Sequence, residues 1–168
     1  MSAVTAEITR ADLARFALRM FPRVRSNWVM WFVVAVGVGA YVVIKNGVPV
    51  TSRQWAALAA ASTIGASAAL LIGVLLSLLT IWLSSGVHNG VLGKHDFSFT
   101  DGGLVERTTA NETLIKWGGV TAVERGGGYI YIFVAPCLAH LIPRRSFRTD
   151  EQYEEFWRHA QKLVRKNA

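Results

Sequence analysis

Two stretches of this chain show no alternation of polar and apolar positions at all. Trp28 to Ile44 and Trp55 to Leu83 are almost continuously apolar. No acidic or basic residue lies between Arg25 and Lys45, nor between Arg53 and Lys94. At about 1.5 Å of helical rise per residue the first block reaches about 26 Å, the short limit for crossing a bilayer. The second reaches about 44 Å, enough to tilt or to project into water. Trp28, Trp31, Trp55 and Trp82 stand near the block ends, where amphipathic indoles suit the membrane interface. The connector, Lys45 to Gln54, contains Asn46-Gly47 and Pro49, which are turn formers. So short a link makes the helices antiparallel. The expectation is a two-helix transmembrane hairpin over residues 28–83, with spans at 28–44 and 55–83. A signal peptide also begins with a basic stretch and an apolar block. Here the basic stretch is long and carries its own amphipathic pattern, and a second span follows at once, so no cleavage is expected.

Elsewhere the pattern is that of ordinary protein. In residues 1–27, Thr9-Arg10-Ala11-Asp12 resembles a capping box with Asp12 in the place of the usual Glu or Gln. Leu13, Phe16, Ala17, Met20 and Phe21 follow as one apolar helical face, closed by Pro22. Val4 to Ile8 reads as a short strand. This helix either lies in the membrane interface with its arginines reaching lipid, or packs on the C-terminal part of the chain; both are open. Residues 84–168 form an expected soluble domain. There the period becomes two, with strands at Phe97–Thr100, Leu104–Ala110, Thr113–Trp117, Tyr129–Ala135 and Leu138–Ile142, separated by turns. Gly118 to Glu124 fits a helical turn as well as a strand. Thr149 with Gln152 caps a last helix, whose apolar face is Tyr153, Phe156, Trp157, Ala160, Leu163 and Val164. Its acids come first and its bases last, as the helix dipole favours. The fold class is thus a membrane α-helical hairpin plus an α+β soluble domain, a strongly bent antiparallel sheet of five strands capped by a C-terminal helix.

The formal charge of +7 suggests nucleic acid until it is divided along the chain. Residues 1–27 carry net +3, the stretch 45–53 carries +2, and residues 84–168 carry only +2. Much of the excess therefore flanks the apolar blocks, where it sets orientation. Five arginines precede the first block, against Lys45 and Arg53 in the connector. The expected topology is two-pass in the cell (inner, cytoplasmic) membrane with both termini in the cytoplasm, and no nucleic-acid partner. Cys137 is the single cysteine, so an internal disulfide is excluded. No base adjoins it, and it reads as a buried or edge-strand thiol rather than a nucleophile.

The second block holds a further pattern. Ala57, Ala61, Gly65, Ala69, Gly73 and Ser77 recur every four residues, and Ala35 and Gly39 repeat the spacing in the first block. Small residues so placed let another helix approach closely. They either pack the two hairpin helices together or, where the stripe outruns its partner, support self-association.

A family resemblance rests on several short motifs. Gly93-Lys94-His95-Asp96-Phe97-Ser98-Phe99-Thr100-Asp101-Gly102-Gly103-Leu104 resembles the opening of the YcxB-like C-terminal domain. So do Ile115-Lys116-Trp117, Tyr129-Ile130-Tyr131-Ile132, and Ile142-Pro143-Arg144-Arg145-Ser146-Phe147 before the closing acidic helix start. Thr9 to Asp12 resembles that family's N-terminal Thr-x-x-Asp. The resemblance implies a bacterial membrane protein with a pleckstrin-homology-like (PH-like) domain, and it implies no activity.

Candidate chemistry is sparse. His88 and His95, with Asp96 adjacent and His140 distant, match no zinc spacing, so no metal is expected. Asp101, Glu106 and Glu112 sit at turns or on a polar strand face, where solvated carboxylates belong. An enzyme would require His95 or Asp101 to converge with other polar groups in a pocket. The glycines at 126–128 lack the spacing of a phosphate loop, no cofactor is expected, and the sequon Asn111-Glu112-Thr113 is irrelevant in a cytoplasmic domain. Arg144, Arg145 and Arg148 beside Pro143 and Phe147 form the most distinctive cluster. It suits an anionic lipid headgroup or an acidic partner segment, unless Asp150 and Glu151 neutralise it; Lys94 and Arg107 join it only if the fold brings them near. The expected role is a membrane-anchored binding or scaffold module for a protein partner, with membrane lipid secondary. An accessory subunit of a larger membrane complex is the alternative, and an enzyme the third reading.

Overall fold

The structure, a computed structural model, describes residues 3–84, 86 and 90–167. In chain order it contains strand β1 (Ala3–Ile8), helix α1 (Arg10–Met20), the long helices α2 (Arg25–Asn46) and α3 (Ser52–Ser84), strands β2 (Gly93–Thr100), β3 (Gly103–Arg107), β4 (Glu112–Lys116), β5 (Ala122–Gly126), β6 (Tyr129–Ala135) and β7 (Leu138–Pro143), and helix α4 (Asp150–Asn167). The chain divides into two compact units, residues 1–16 with 84–168, and residues 17–83.

In the second unit the apolar blocks understate the helices. The connector is turned at both ends by local chemistry. Gly47 takes a positive φ of 84° and its N–H closes onto the Val43 carbonyl at 2.8 Å. Thr51 then starts α3: the Gln54 N–H donates to Thr51 Oγ1, while Gln54 Oε1 accepts from the Val50 and Thr51 N–H groups. Helix α2 therefore has 22 residues, about 33 Å, and α3 has 33, about 50 Å. Both are long and apolar enough to cross a membrane. They pack as a hairpin: Trp31, Val34, Ala35, Val38 and Gly39 of α2 are half-buried, as are Leu58, Ser62 and Gly65 of α3, and Ala66 is fully buried. Trp31 Nε1 donates across the pair to Ser67 Oγ at 3.3 Å.

Among the described residues the first unit has seven strands in two antiparallel sheets, where the sequence suggested five in one bent sheet. The four-stranded sheet runs β1-β2-β3-β4 and the three-stranded sheet β5-β6-β7. The additional strands have clear origins. The segment before α2, Ala3–Ile8, pairs with β2 along its whole length, from Ala3 opposite Ser98 to Ile8 opposite Gly93. The ambiguous stretch 118–124 divides into a 3-10 turn at Trp117–Gly119 followed by β5. Val4, Ala6 and Ile8 alternate inward, as do Phe97 and Leu104. Facing them are Ile130, Ile132 and Ile142, and α4 closes this core with Phe156, whose ring lies 4.4 Å from that of Phe99 and 5.4 Å from that of Phe147. Strand β6 is buried on both faces. Its outer row, Tyr129, Tyr131 and Phe133, is covered by α1, with Phe16 stacked 5.8 Å from Tyr131. Of the two placements open for α1, its N-terminal half thus lies on the sheet.

Candidate functional site

The α1 cap was legible in the sequence, but what it meets was not. Thr9 and Asp12 form a reciprocal box: Asp12 Oδ2 accepts from the Thr9 N–H at 2.8 Å and from its hydroxyl at 2.7 Å, and the Asp12 N–H returns to Thr9 Oγ1 at 3.4 Å. An exposed aspartate would suffice for capping. This one is fully buried, because β6 and the segment after β7 close over it. Tyr129 donates its hydroxyl to Asp12 Oδ1 at 2.5 Å. Arg145 makes a two-pronged contact, Nη1 to Oδ1 at 2.9 Å and Nη2 to Oδ2 at 2.5 Å, and also donates to the Glu7 carbonyl at 2.7 Å. Arg15 completes the node, donating to the Tyr129 hydroxyl at 3.1 Å. Burial alone would raise the Asp12 pKa; the hydrogen bonds from Arg145, Tyr129 and Thr9 outweigh it and hold the carboxyl well below its ordinary range. The node joins the segment before α2 to the sheets that follow α3.

A second node lies between the sheets. Glu106 on β3 accepts from His95 Nδ1 of β2 at 2.8 Å and from His140 Nδ1 of β7 at 3.0 Å. Burial works against its charge, but the hydrogen bonds from His140 and His95 and the electrostatic attraction between these groups pull the carboxyl down from 4.5 to about 2. Phe97 lies between the imidazoles, its ring 6.1 Å from His95 and 6.2 Å from His140. His95 Nε2 is buried without a hydrogen-bond partner among the described residues. His95 and His140 therefore do meet, through Glu106. Asp101 is exposed in the β2–β3 turn and takes no part. Among the described residues no group of three His, Cys, Asp or Glu is arranged to hold a metal, and His88 lies outside the described residues.

The three arginines separate. Arg145 belongs to the Asp12 node. Arg144 pairs with Asp150, its Nε 2.8 Å from Oδ1. Arg148 is exposed and lines an open groove of about 670 Å³ with Ser146, Phe147 and Gln152 on one side. Ala3, Val4 and Thr5 of β1, Asp96, Phe97 and Ser98 of β2, and Arg107 form the rest. Thr5 donates its hydroxyl to Asp96 at 2.5 Å, and Arg107 pairs with Glu112 at 2.9 Å. Neither His95 nor His140 lines this groove.

In the hairpin, Ala35 and Gly39 sit on the packed face of α2, and a Cβ at Gly39 would stand 3.0 Å from Ser62 Oγ. Gly65 faces Val38, but Ala57, Ala61, Ala69, Gly73 and Ser77 are exposed, one helical position away from the contact line of Leu58, Ser62 and Ala66. Cys137 lies in the turn between β6 and β7 at a positive φ of 64° and is part-exposed, so it is neither buried nor in a strand.

The parts Tyr129 and Arg15 play in the Asp12 node were not legible in the sequence. The one signal toward them was the capping box itself, with a carboxylate too short to be ordinary there. The known proteins add a family to this geometry. No curated protein and no solved structure matches the chain. A family described as YcxB-like protein matches residues 99–159, which contain Glu106, Tyr129, His140 and Arg145. From the end of β2 to the middle of α4, this chain carries a YcxB-like family domain.

Proposed function

We infer that the protein is a membrane-anchored binding module: a cytoplasmic PH-like domain, held at the bilayer by α2 and α3 in two passes, that binds a protein partner in the groove beside β1. The groove carries this reading. In this open concave surface an arginine with no ion pair among the described residues, an aromatic wall and a strand edge come together. Four strands and three strands closed by a C-terminal helix support the PH-like description. Because β1 pairs with β2, the segments before and after the long helices belong to one unit, which supports both standing on the same side of a membrane the helices cross. The arginine excess before α2 favours the cytoplasmic side. Lipid contact ranks second, since Arg144 and Arg145 already have carboxylate partners.

The test is a photoreactive side chain placed in cells at Ser98, in the groove, and at Thr113, exposed on β4. A specific adduct at 98 and none at 113 is expected; the same adducts at both, or none at either, would sink the reading. Protease protection checks the orientation, and a C-terminal domain digested from outside the cell reverses it. A second reading, an accessory subunit of a membrane complex, is favoured by the exposed small residues of α3. A Cβ at Gly73 would meet nothing within 4 Å, whereas one at Gly65 would meet Val38 at 3.1 Å. Loss of a crosslinked assembly in Gly73→Leu, with insertion retained, supports it; an unchanged assembly counts against it.

A further inference from the structure

Strand β1 is the edge of its sheet, and the β2–β3 turn fixes which of its backbone groups are in use. Thr100 and Gly103 flank a two-residue turn and stand opposite each other, which makes them a hydrogen-bonded pair. Bonded and non-bonded pairs then alternate along an antiparallel ladder. Ser98 and Asp96 turn their backbone groups toward β3, while Phe97 and His95 turn theirs toward β1. Their partners, Val4 and Ala6, complete the ladder on β1. Ala3, Thr5 and Glu7 therefore point their N–H and C=O groups away from the sheet. The Arg145 bond to the Glu7 carbonyl agrees with this direction. β7 and the turn after it approach β1, and Arg145 covers Glu7, while Ala3 and Thr5 open onto the groove and are hydrogen-bonded to no further strand among the described residues.

An uncovered edge is a template for another strand, and proteins usually blunt it with lysine or proline. Strand β1 has neither. Across the groove, Phe147 is held by edge-on contacts with Tyr153 and Phe156, and Arg148 stands exposed beside it with no ion pair among the described residues. Asp96, the only acid lining the groove among the described residues, is already engaged by Thr5. The edge calls for extended backbone, and the uncompensated charge calls for a carboxylate.

We propose that the groove takes an extended acidic segment of a partner protein, which adds to β1 as a further strand and sets a carboxylate on Arg148. This rests on the groove being the binding site and names the chemistry of its occupant. The experiment uses the full-length chain in detergent and a short labelled peptide of alternating threonine and valine with central glutamates, read by fluorescence anisotropy. Replacing the glutamates with lysine, methylating the peptide's backbone nitrogens, or introducing Arg148→Glu is each expected to weaken binding at least about tenfold. Thr5→Pro removes an outward N–H without touching the ladder to β2 and is expected to do the same. Thr5→Val also loses the bond to Asp96 but keeps its N–H, and is expected to bind as wild type. Equal binding by acidic and lysine peptides, indifference to backbone methylation, or equal loss in Thr5→Val and Thr5→Pro would overturn the proposal. Any of these alongside a groove-specific adduct at position 98 removes strand addition and leaves the groove reading intact. A β1-dependent dimer that excludes the peptide makes the occupant a second copy of the chain and likewise overturns it.

Discussion

Asp12, fully buried, and Glu106, half-buried, are carboxylates with opposite histories in the sequence. Asp12 announced itself as a cap, and Glu106 looked like a solvated residue on a polar strand face. Both are kept ionised by donors brought from distant segments. Replacing Asp12 with Asn leaves the Arg145 fork and the Tyr129 hydroxyl without their anion; a loss of about 3 kcal/mol is expected, below the ceiling for a fully buried pair because Arg145 is half exposed. Tyr129→Phe removes one charge-assisted bond and should cost about 2 kcal/mol. Chemical denaturation of the detergent-solubilised chain measures both, and a change within error for Asp12→Asn refutes the structural weight given to the node. For Glu106, folding lowers the pKa from 4.5 to about 2. The stability it contributes is therefore fully present above pH 4.5 and is lost as the pH falls through about 2. Glu106→Gln should flatten the acid limb of the stability profile in that window and remove about 2 kcal/mol at neutral pH. An acid limb identical to that of the wild type would show that Glu106 does not control it.

At the scale of elements, the turns and caps follow sequence chemistry closely. Gly47 and Thr51 bound the connector, and Thr149 with Gln152 starts α4, the Gln152 N–H donating to Thr149 Oγ1 at 3.3 Å. Pairing between elements follows tighter constraints. Gly103 begins β3 where the backbone of β4 crosses close: a Cβ there would stand 2.1 Å from the Ile115 carbonyl oxygen. Backbone cannot step aside as a flexible side chain does, so Gly103→Ala should break the β3–β4 pairing locally, at about 3 kcal/mol or more. Hydrogen exchange at Thr113 and Ile115, whose partners across the ladder are Glu106 and Leu104, reports the loss, and wild-type protection there would contradict it. The sequence marked Asp101-Gly102-Gly103 as a turn, but the closeness of β4 depends on the register Gly103 opposite Lys116, which no local pattern displays. The offset in α3 has the same origin. The small-residue stripe is plain in the sequence, while the helix rotation that sends Leu58, Ser62 and Ala66 to α2 is settled by packing.

For the whole molecule, the decisive feature is that one unit is assembled from both sides of the two long helices. A fragment of residues 84–168 lacks β1, and with it the burial of Val4, Ala6 and Ile8 and the Asp12 node. Those three side chains alone account for about 5 kcal/mol of apolar burial, comparable with the whole stability of a small domain. The fragment is expected to be unfolded or aggregated through its bare β2 edge, and a peptide of residues 3–16 added in trans to restore protection. A fragment that is stable and monomeric without the peptide would refute this. Local period and composition already carry much of the molecule. They hold the two apolar helices, the alternating strands behind them, the capped amphipathic α4, the turn residues, and the charge placed beside the apolar blocks rather than in the domain. The meetings across long separations come only from the folded chain. Ala3–Ile8 becomes the edge of a sheet whose next strand begins at Gly93, Arg145 reaches Asp12, and His95 and His140 share Glu106. The physical reason is that period and propensity act over a few residues, while pairing register and the partner of a buried charge are fixed by which distant segments can fill one core together.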